Sequence, residues 1–358
     1  MTKLTDSVSP MTIGLDVGDR NTHYCVLDAA RNVVDRGSIP TAKGRITMEL
    51  QKFAPALAVL EAGSQSPWLS RHLEKLDFTP LVVDPRRVQL ITKDPRKTDR
   101  RDAETLARLA AAMPEVLGSI QHRSEQAQAD LSVIRVRDLL VGTRSSMVLQ
   151  VRGLAKAFGT RLPTATTPAF PKRVRALVPE MLKAAVEPAL EVIEKLNQKI
   201  RELDDKLEQI AQDRYPEAGV LRQIPGVGPL TSLAFVLTIE DAGRFTSSRQ
   251  VGSWLGLCPR SFASGESVPQ LPITKAGDGP LRRLLVQCAQ YILGPFGRDC
   301  DLRRFGQRLA ARGGRAAKKR AVVATARKLA ILLHHLWRTG EVYEPLYNTN
   351  RLQAAPAV

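Results

Sequence analysis

One carboxylate constrains this chain more than any other residue. In Ile13-Gly14-Leu15-Asp16-Val17-Gly18 an apolar run ends on Asp16, and small residues follow. An acid inside an otherwise apolar strand is costly to bury unless something positive meets it. The next run, Tyr24-Cys25-Val26-Leu27-Asp28, reads as a second strand, and Asn32 to Gly37 opens a third. Strand, turn, strand, turn, strand predicts an opening β-meander with Asp16 near the end of its first strand.

The apolar run Ala56 to Leu60 then ends on Glu61; Gly63, Ser64 and Gln65 lead into a helix over Pro67 to Leu76, and Leu81-Val82-Val83 is a further strand. Strands alternating with helices predict an α/β layer. The basic stretch from Lys93 to Glu104 opens an alanine- and leucine-rich helix running to about Ala112. Asp99 and Asp102 lie three apart in it and so share one helix face. Asp16, Glu61, Asp99 and Asp102 come from separate strand ends and one helix start, and can converge into an oxygen-rich pocket. Mg²⁺ takes oxygen ligands and needs few carboxylates beside a substrate phosphate. Two such ions about 4 Å apart clamp both oxygens of a phosphoryl transfer. The plainer reading of Asp99 and Asp102 is that of helix-start residues favoured by the dipole.

Beyond this layer the pattern is helical. One helix is expected from Gln126 to about Phe158, a break over Pro163 to Pro171, and a second long helix from about Lys172 to Ile210. In the latter, Ile193, Leu196, Ile200, Leu203, Leu207 and Ile210 alternate in steps of three and four, a coiled-coil seam. It can zip to the earlier helix or to another subunit. A third unit begins near Leu221, where Ile224-Pro225-Gly226-Val227-Gly228-Pro229 looks like half of a helix-hairpin-helix, whose backbone N–H groups can hold a phosphate. A Ser264-Gly265 loop, a basic glycine loop around Lys275 and a helix started by Pro280 follow. Ser264 is either exposed for attack or part of a simple turn. Arg298 to Arg338 is dense in arginine and lysine and reads as basic helices facing nucleic acid. The expected organisation is therefore 1–120 as an α/β domain, 121–217 as long helices, 218–348 as a mostly α C-terminal domain, and 349–358 as a tail.

Charge narrows the partner. The 358 residues hold 53 Lys and Arg against 36 Asp and Glu, a net charge of +17. That excess implies a polyanion. The four cysteines, Cys25, Cys258, Cys288 and Cys300, form no C-x-x-C pair, which argues against a zinc knuckle or a disulfide framework and for a reduced, cytoplasmic setting. No signal peptide is evident, and no apolar run reaches the roughly 18 residues of a membrane span. His334-His335 reads as packing.

Taken in order, these motifs resemble the bridge-RNA-guided DEDD transposases of the bacterial insertion-sequence 110/1111 type. The resemblance runs from about residue 11 to about 345. It rests on Ile13 to Val17, Val59 to Ala62 and Lys97 to Ala103, and then on Ile224 to Pro229, Gly256 to Arg260, Ser264-Gly265 and Ile273 to Gly277. It implies a RuvC-like (ribonuclease-H-like) domain, a coiled-coil insertion and a C-terminal transposase domain. It implies that Asp16, Glu61, Asp99 and Asp102 bind Mg²⁺ and that Ser264 forms a covalent link to DNA. It further implies a dimer of dimers and a structured RNA that selects donor and target DNA. Arg100, Arg101, Lys275, Arg282, Arg283, Arg315, Lys318, Lys319 and Arg320 are the candidate nucleic-acid contacts. The setting expected is the bacterial cytoplasm, at the nucleoid. The chain departs from the usual pattern at Gly18-Asp19-Arg20, where many relatives carry Lys, and at Gly277-Asp278, where Gly-Asn is usual.

Three competing readings remain beside it. A metal-dependent nuclease or junction resolvase would use the four acids with water as nucleophile. An actin-like or sugar kinase would need a second glycine-rich Asp motif late in the chain, which is missing, and leaves the charge unexplained. A non-catalytic scaffold has no use for four convergent acids.

Overall fold

The computed structural model describes residues 11–91, 99–260 and 271–354. The chain divides into two compact units, one up to Arg123 and one from Ser124 onward.

The first unit is a mixed sheet flanked by helices. Its strands are β1 (Thr12–Val17), β2 (Asn21–Leu27), β3 (Val33–Pro40), β4 (Leu57–Glu61) and β5 (Thr79–Val83), in the order β3-β2-β1-β4-β5. The expected meander is present: β1, β2 and β3 pair antiparallel. β4 then joins the free edge of β1 in parallel, and β5 pairs in parallel with β4. The helices are α1 (Lys43–Leu50), α2 (Ser66–Glu74), α3 (Pro85–Ile91), α4 (Asp99–Ala112) and α5 (Pro114–Leu117).

Side chains alternate across a strand, so each strand serves two cores. Ile13, Leu15, Tyr24, Val26, Ala58, Leu60 and Val82 bury one face against Ile46 and Leu50 of α1 and Leu69 and Leu73 of α2. On the other face, Cys25 and Leu27 meet Ala103 and Ala107 of α4. Val59, Leu81 and Val83 meet Leu106 and Ala110 of α4 and Leu117 of α5. Gly14 lies on this second face. A Cβ there would overlap the Ala103 carbonyl oxygen and stand 2.6 Å from the Ala107 nitrogen. Only glycine lets α4 lie this close to the middle of β1.

The second unit is helical. The helices are α6 (Glu125–Ala157), α7 (Phe170–Val174), α8 (Glu180–Arg214), α9 (Glu217–Leu221), α10 (Pro229–Ile239), α11 (Arg249–Trp254), α12 (Gly279–Leu293), α13 (Asp301–Ala310), α14 (Gly314–Thr339) and α15 (Tyr347–Ala354). α6 matches the expected helix closely, whereas the helix expected from Lys172 to Ile210 is broken. α7 and one 3₁₀ turn, Arg175–Leu177, precede an extended Val178, and α8 starts only after Pro179. The residue before a proline is pushed out of the helical region.

α6 and α8 form an antiparallel pair within the chain. Arg137 Nε donates to Asp204 at 2.8 Å, and Arg144 Nη1 donates to Asn197 Oδ1 at 2.8 Å. Of the seam, Ile193, Ile200, Leu207 and Ile210 are buried, and Leu196 and Leu203 half-buried. Buried Asn197 also donates to Pro168 O at 3.0 Å, which ties the helix pair to its connecting loop. The apolar α10 runs through the main core among α9, α12 and α14, every residue from Thr231 to Ile239 being buried.

Candidate active site

Strand parity decides which acids share a face. Ile13 and Leu15 bury on the α1–α2 side, so Gly14 and Asp16 face α4. On β4, Ala58 and Leu60 bury on the α1–α2 side and Val59 faces α4, so Glu61 does too. The parallel register runs from Thr12 with Leu57 to Leu15 with Leu60. The next pair in that register is Asp16 and Glu61, side by side at the C-terminal ends of two neighbouring strands.

The helix above them runs antiparallel to β1. Ala103 and Ala107 stand over Gly14, while Arg108 Nη1 reaches the Arg31 carbonyl at 3.4 Å, at the β2–β3 turn on the opposite end of the sheet. The first turn of α4 therefore overhangs the strand ends that carry Asp16 and Glu61. Asp102 sits in that turn and is half-buried, as are Asp16 and Glu61. Asp99 is the first residue of α4, and its side chain lies outside the described residues. Arg100 and Arg101 are exposed beside it.

In kind these groups are hard oxygen donors, which suit a divalent metal ion. The described side chains do not close a site on their own: among the described residues, no three of His, Cys, Asp and Glu gather tightly enough to hold a metal ion. His23 was not anticipated from the sequence. It stands directly opposite Asp16 in the antiparallel ladder and on the same face. The signal was available in the alternation of β2, where Tyr24 and Val26 face the other way.

In the second unit, the segment carrying Ser264, residues 261–270, lies outside the described residues. Its two flanks are paired with each other. Arg260 N–H donates to Pro272 O at 3.0 Å, Thr274 N–H to Cys258 O at 2.9 Å, and Lys275 N–H to Gly256 O at 3.1 Å. Two left-handed glycines allow this packing. A Cβ on Gly256 would overlap Ala276 backbone, and one on Gly277 would overlap the Trp254 carbonyl. Arg282 ties the two loops together, its Nη1 donating to Leu255 O at 2.8 Å and Ala276 O at 2.6 Å. Lys275 is exposed and itself left-handed, with φ of 56°. Exposed Arg283 pairs with Asp138 at 2.6 Å.

α13 and α14 form the basic element. Residues 302–340 contain eleven Lys and Arg and no Asp or Glu. Arg315, Lys318, Lys319 and Arg320 are all exposed in the first two turns of α14. Arg303 and Arg304 are structural instead. Arg303 Nη1 donates to the Ile292 and Gly294 carbonyls at 2.6 Å each, and Arg304 pairs with Asp299 at 2.6 Å. At the G-V-G turn, Gly226, with φ of 96°, lies against the Tyr291 ring, and exposed Gly228 is the N-cap residue of α10.

His334 is a packed histidine, as expected. It is fully buried between Ser248 Oγ on Nδ1 and the Ala242 carbonyl on Nε2, both at 2.9 Å. A carbonyl only accepts, so Nε2 carries the proton and Nδ1 accepts from Ser248. Burial pushes its pKa below the ordinary histidine value.

Two family models match this chain. A transposase model of the DEDD, IS110 type covers residues 13–158, the stretch that holds all four acids. A model described as transposase of the IS116/IS110/IS902 family covers 218–297, which holds Ser264 and Lys275. A probable family 20 transposase of Pseudomonas aeruginosa is 31% identical across 93% of this chain and 98% of its own length. The chain belongs to the IS110 family of insertion-sequence transposases. Its similarity extends to the transposase for insertion sequence element IS1328 of Yersinia enterocolitica, at 29% identity over 78% of this chain and 83% of that protein. The transposase for IS1111A of Coxiella burnetii is 26% identical over 92% and 90%. Like its family, this IS110-type transposase is an enzyme acting on DNA. Its N-terminal region is the mixed α/β sheet and its C-terminal part is helical, in line with the layer fold and helical segments expected. Among the described residues, no helix is long and apolar enough to cross a membrane.

Proposed function

We propose that this transposase cuts and rejoins donor and target DNA through a covalent ester between Ser264 and DNA, assisted by Mg²⁺ at Asp16, Glu61, Asp99 and Asp102 in a RuvC-like domain, and directed to both DNAs by a structured bridge RNA. The observation that carries the reading is the edge where Asp16 and Glu61 end neighbouring parallel strands beneath the first turn of α4. Mg²⁺ held there would polarise the scissile phosphate and offset the charge developing on it. The N-terminus of α4 adds its own partial positive charge at the same edge.

The bonds balance without an external energy source. Ser264 Oγ forms a P–O bond to the scissile phosphate as the bond to one DNA oxygen breaks, and the serine proton passes to that leaving oxygen. In the second step a hydroxyl of the partner strand attacks the phosphoserine, the P–Oγ bond breaks and Ser264 regains its proton. Phosphodiester energy is kept, whereas attack by water would leave nicks. A serine hydroxyl is a weak nucleophile unless activated. Exposed Arg100, Arg101, Lys275, Arg315, Lys318, Lys319 and Arg320 are the proposed phosphate contacts, with Arg282 and Arg283 bracing the loop and helix that follow. The α6–α8 coiled coil belongs to a dimer of dimers in this reading.

The test is a denaturing gel of labelled DNA after reaction. Wild type and Ser261→Ala give a protein-sized shift, Ser264→Ala binds DNA but gives none, and Asp16→Asn gives neither shift nor cleavage. A shifted band with Ser264→Ala, or wild-type cleavage that never yields one, would falsify the serine step and leave a nuclease using water.

A further inference from the structure

We propose that the turn between α12 and α13 is a stacking platform for an unpaired nucleobase, with Phe296 as its face. Phe296 is 79% exposed, in a chain where only 5% of residues are Phe, Trp or Tyr. Tyr291, on the last turn of α12, is 47% exposed.

The turn is rigid. Gly297 N–H donates to Gly294 O at 3.2 Å, and Arg303 Nη1 bonds the Ile292 and Gly294 carbonyls from within. A Cβ on Gly297 would overlap the Ile292 carbonyl, so the chain closes tightly only with glycine there. Tyr291 is equally constrained: its Cδ1 would stand 2.7 Å from a Cβ on Gly226, so the ring lies against the bare backbone of the glycine turn. A large apolar ring is thus left mostly in water at a tightly closed turn.

The surrounding charge selects the occupant. Arg298 is exposed two residues on. Of the two nearby carboxylates, Asp299 is paired with Arg304, whereas Asp301 keeps its charge and accepts hydrogen bonds from Asn348 N–H and Thr349 Oγ1. Arg304 accordingly holds Asp299 below the usual carboxylate range. The acid-free stretch of 302–340 continues from this tip. An exposed aromatic ring with an exposed arginine two residues on, next to a long stretch free of acids, suits a base whose backbone is anionic.

The inference rests on the reading above only in requiring a nucleic-acid substrate; it is independent of Ser264 and of metal. The experiment measures binding of the full chain to a labelled single-stranded DNA and to the same sequence as duplex, at one fixed salt concentration. Phe296→Ala is expected to weaken single-strand binding about 5- to 100-fold and to leave duplex binding within about twofold. Phe296→Tyr should restore it and Phe296→Leu should not. The platform is refuted if Phe296→Ala binds the single strand like wild type, if both DNAs lose equally, or if Phe296→Leu restores binding. It is also refuted if Phe296→Ala only lowers the sedimenting mass, which would mark a contact between copies. Wild type that binds neither DNA would instead overturn the nucleic-acid reading itself.

Discussion

Replacing Gly14 with alanine tests the geometry of the carboxylate edge without touching a carboxylate. The added Cβ would overlap the Ala103 carbonyl and lie 2.6 Å from the Ala107 nitrogen. Ordinary contact is about 3.5 Å or more, so α4 must move away from β1 by roughly 1 Å. The obstacle is helix backbone, so no rotamer change relieves it. β1 cannot yield either, because β2 and β4 hydrogen-bond to both its edges. Overpacking of this kind costs about 1–3 kcal/mol. For a unit of this size that lowers Tm by roughly 3–15 °C. The effect on chemistry should be larger, because α4 carries Asp99 and Asp102 and a shift of about 1 Å in a reacting group can cost about 100-fold in rate. Thermal unfolding and strand cleavage of Gly14→Ala should therefore diverge, with a folded protein that cleaves about two orders of magnitude more slowly. Gly44→Ala is the control, since a Cβ there meets nothing within 4 Å. Wild-type cleavage by a Gly14→Ala protein of normal stability would sink the argument that α4 and β1 set the site by close approach.

Two further outcomes are expected. The +17 chain should purify with one discrete RNA, whose binding falls steeply with salt; a heterogeneous pool, seen by sequencing the bound nucleic acid, would remove the guided reading. His334 should make the fold acid-sensitive. Its pKa is lowered by burial, against the backbone bond to Ala242, and by Arg338 and His335, so the unfolded chain binds the proton more readily. Its contribution is complete above the unfolded value of about 6.5 and is lost as pH falls below it. His122 shifts in the same direction. The drop in Tm between about pH 7.5 and about pH 5.5 should thus be smaller in His334→Gln than in wild type; an equal drop would show that His334 is not the group responsible.

Much of the first unit was legible in one dimension. Alternation placed β1, β2 and β3, and an acid at the end of an apolar strand marked Asp16, because period-two patterning is a local property. The α6 boundaries followed from the helical pattern; the structure adds the capping serine, Ser124, whose Oγ accepts from Ala127 N–H at 3.1 Å. The break at Val178 was missed because apolar periodicity continues on both sides of it, though Pro179 carried the signal.

What the chain pattern alone determined was which residues share a face: Gly14 with Asp16, Asp99 with Asp102, Ile193 with Ile200 and Leu207. Which face meets which was decided only by tertiary structure. The register of β4 on β1 sets Glu61 beside Asp16 across 45 residues of sequence, and β2 sets His23 opposite it. The antiparallel course of α8 against α6 brings Asn197 to Arg144. Arginines of one sequence character were likewise divided by their surroundings, Arg303 turning in to carbonyls at the end of α12 while Arg315 stays in water. Local periodicity carries no information about distant partners. Those are chosen by the burial and hydrogen bonding of the whole fold, here by a helix that reaches β1 only where glycine leaves room.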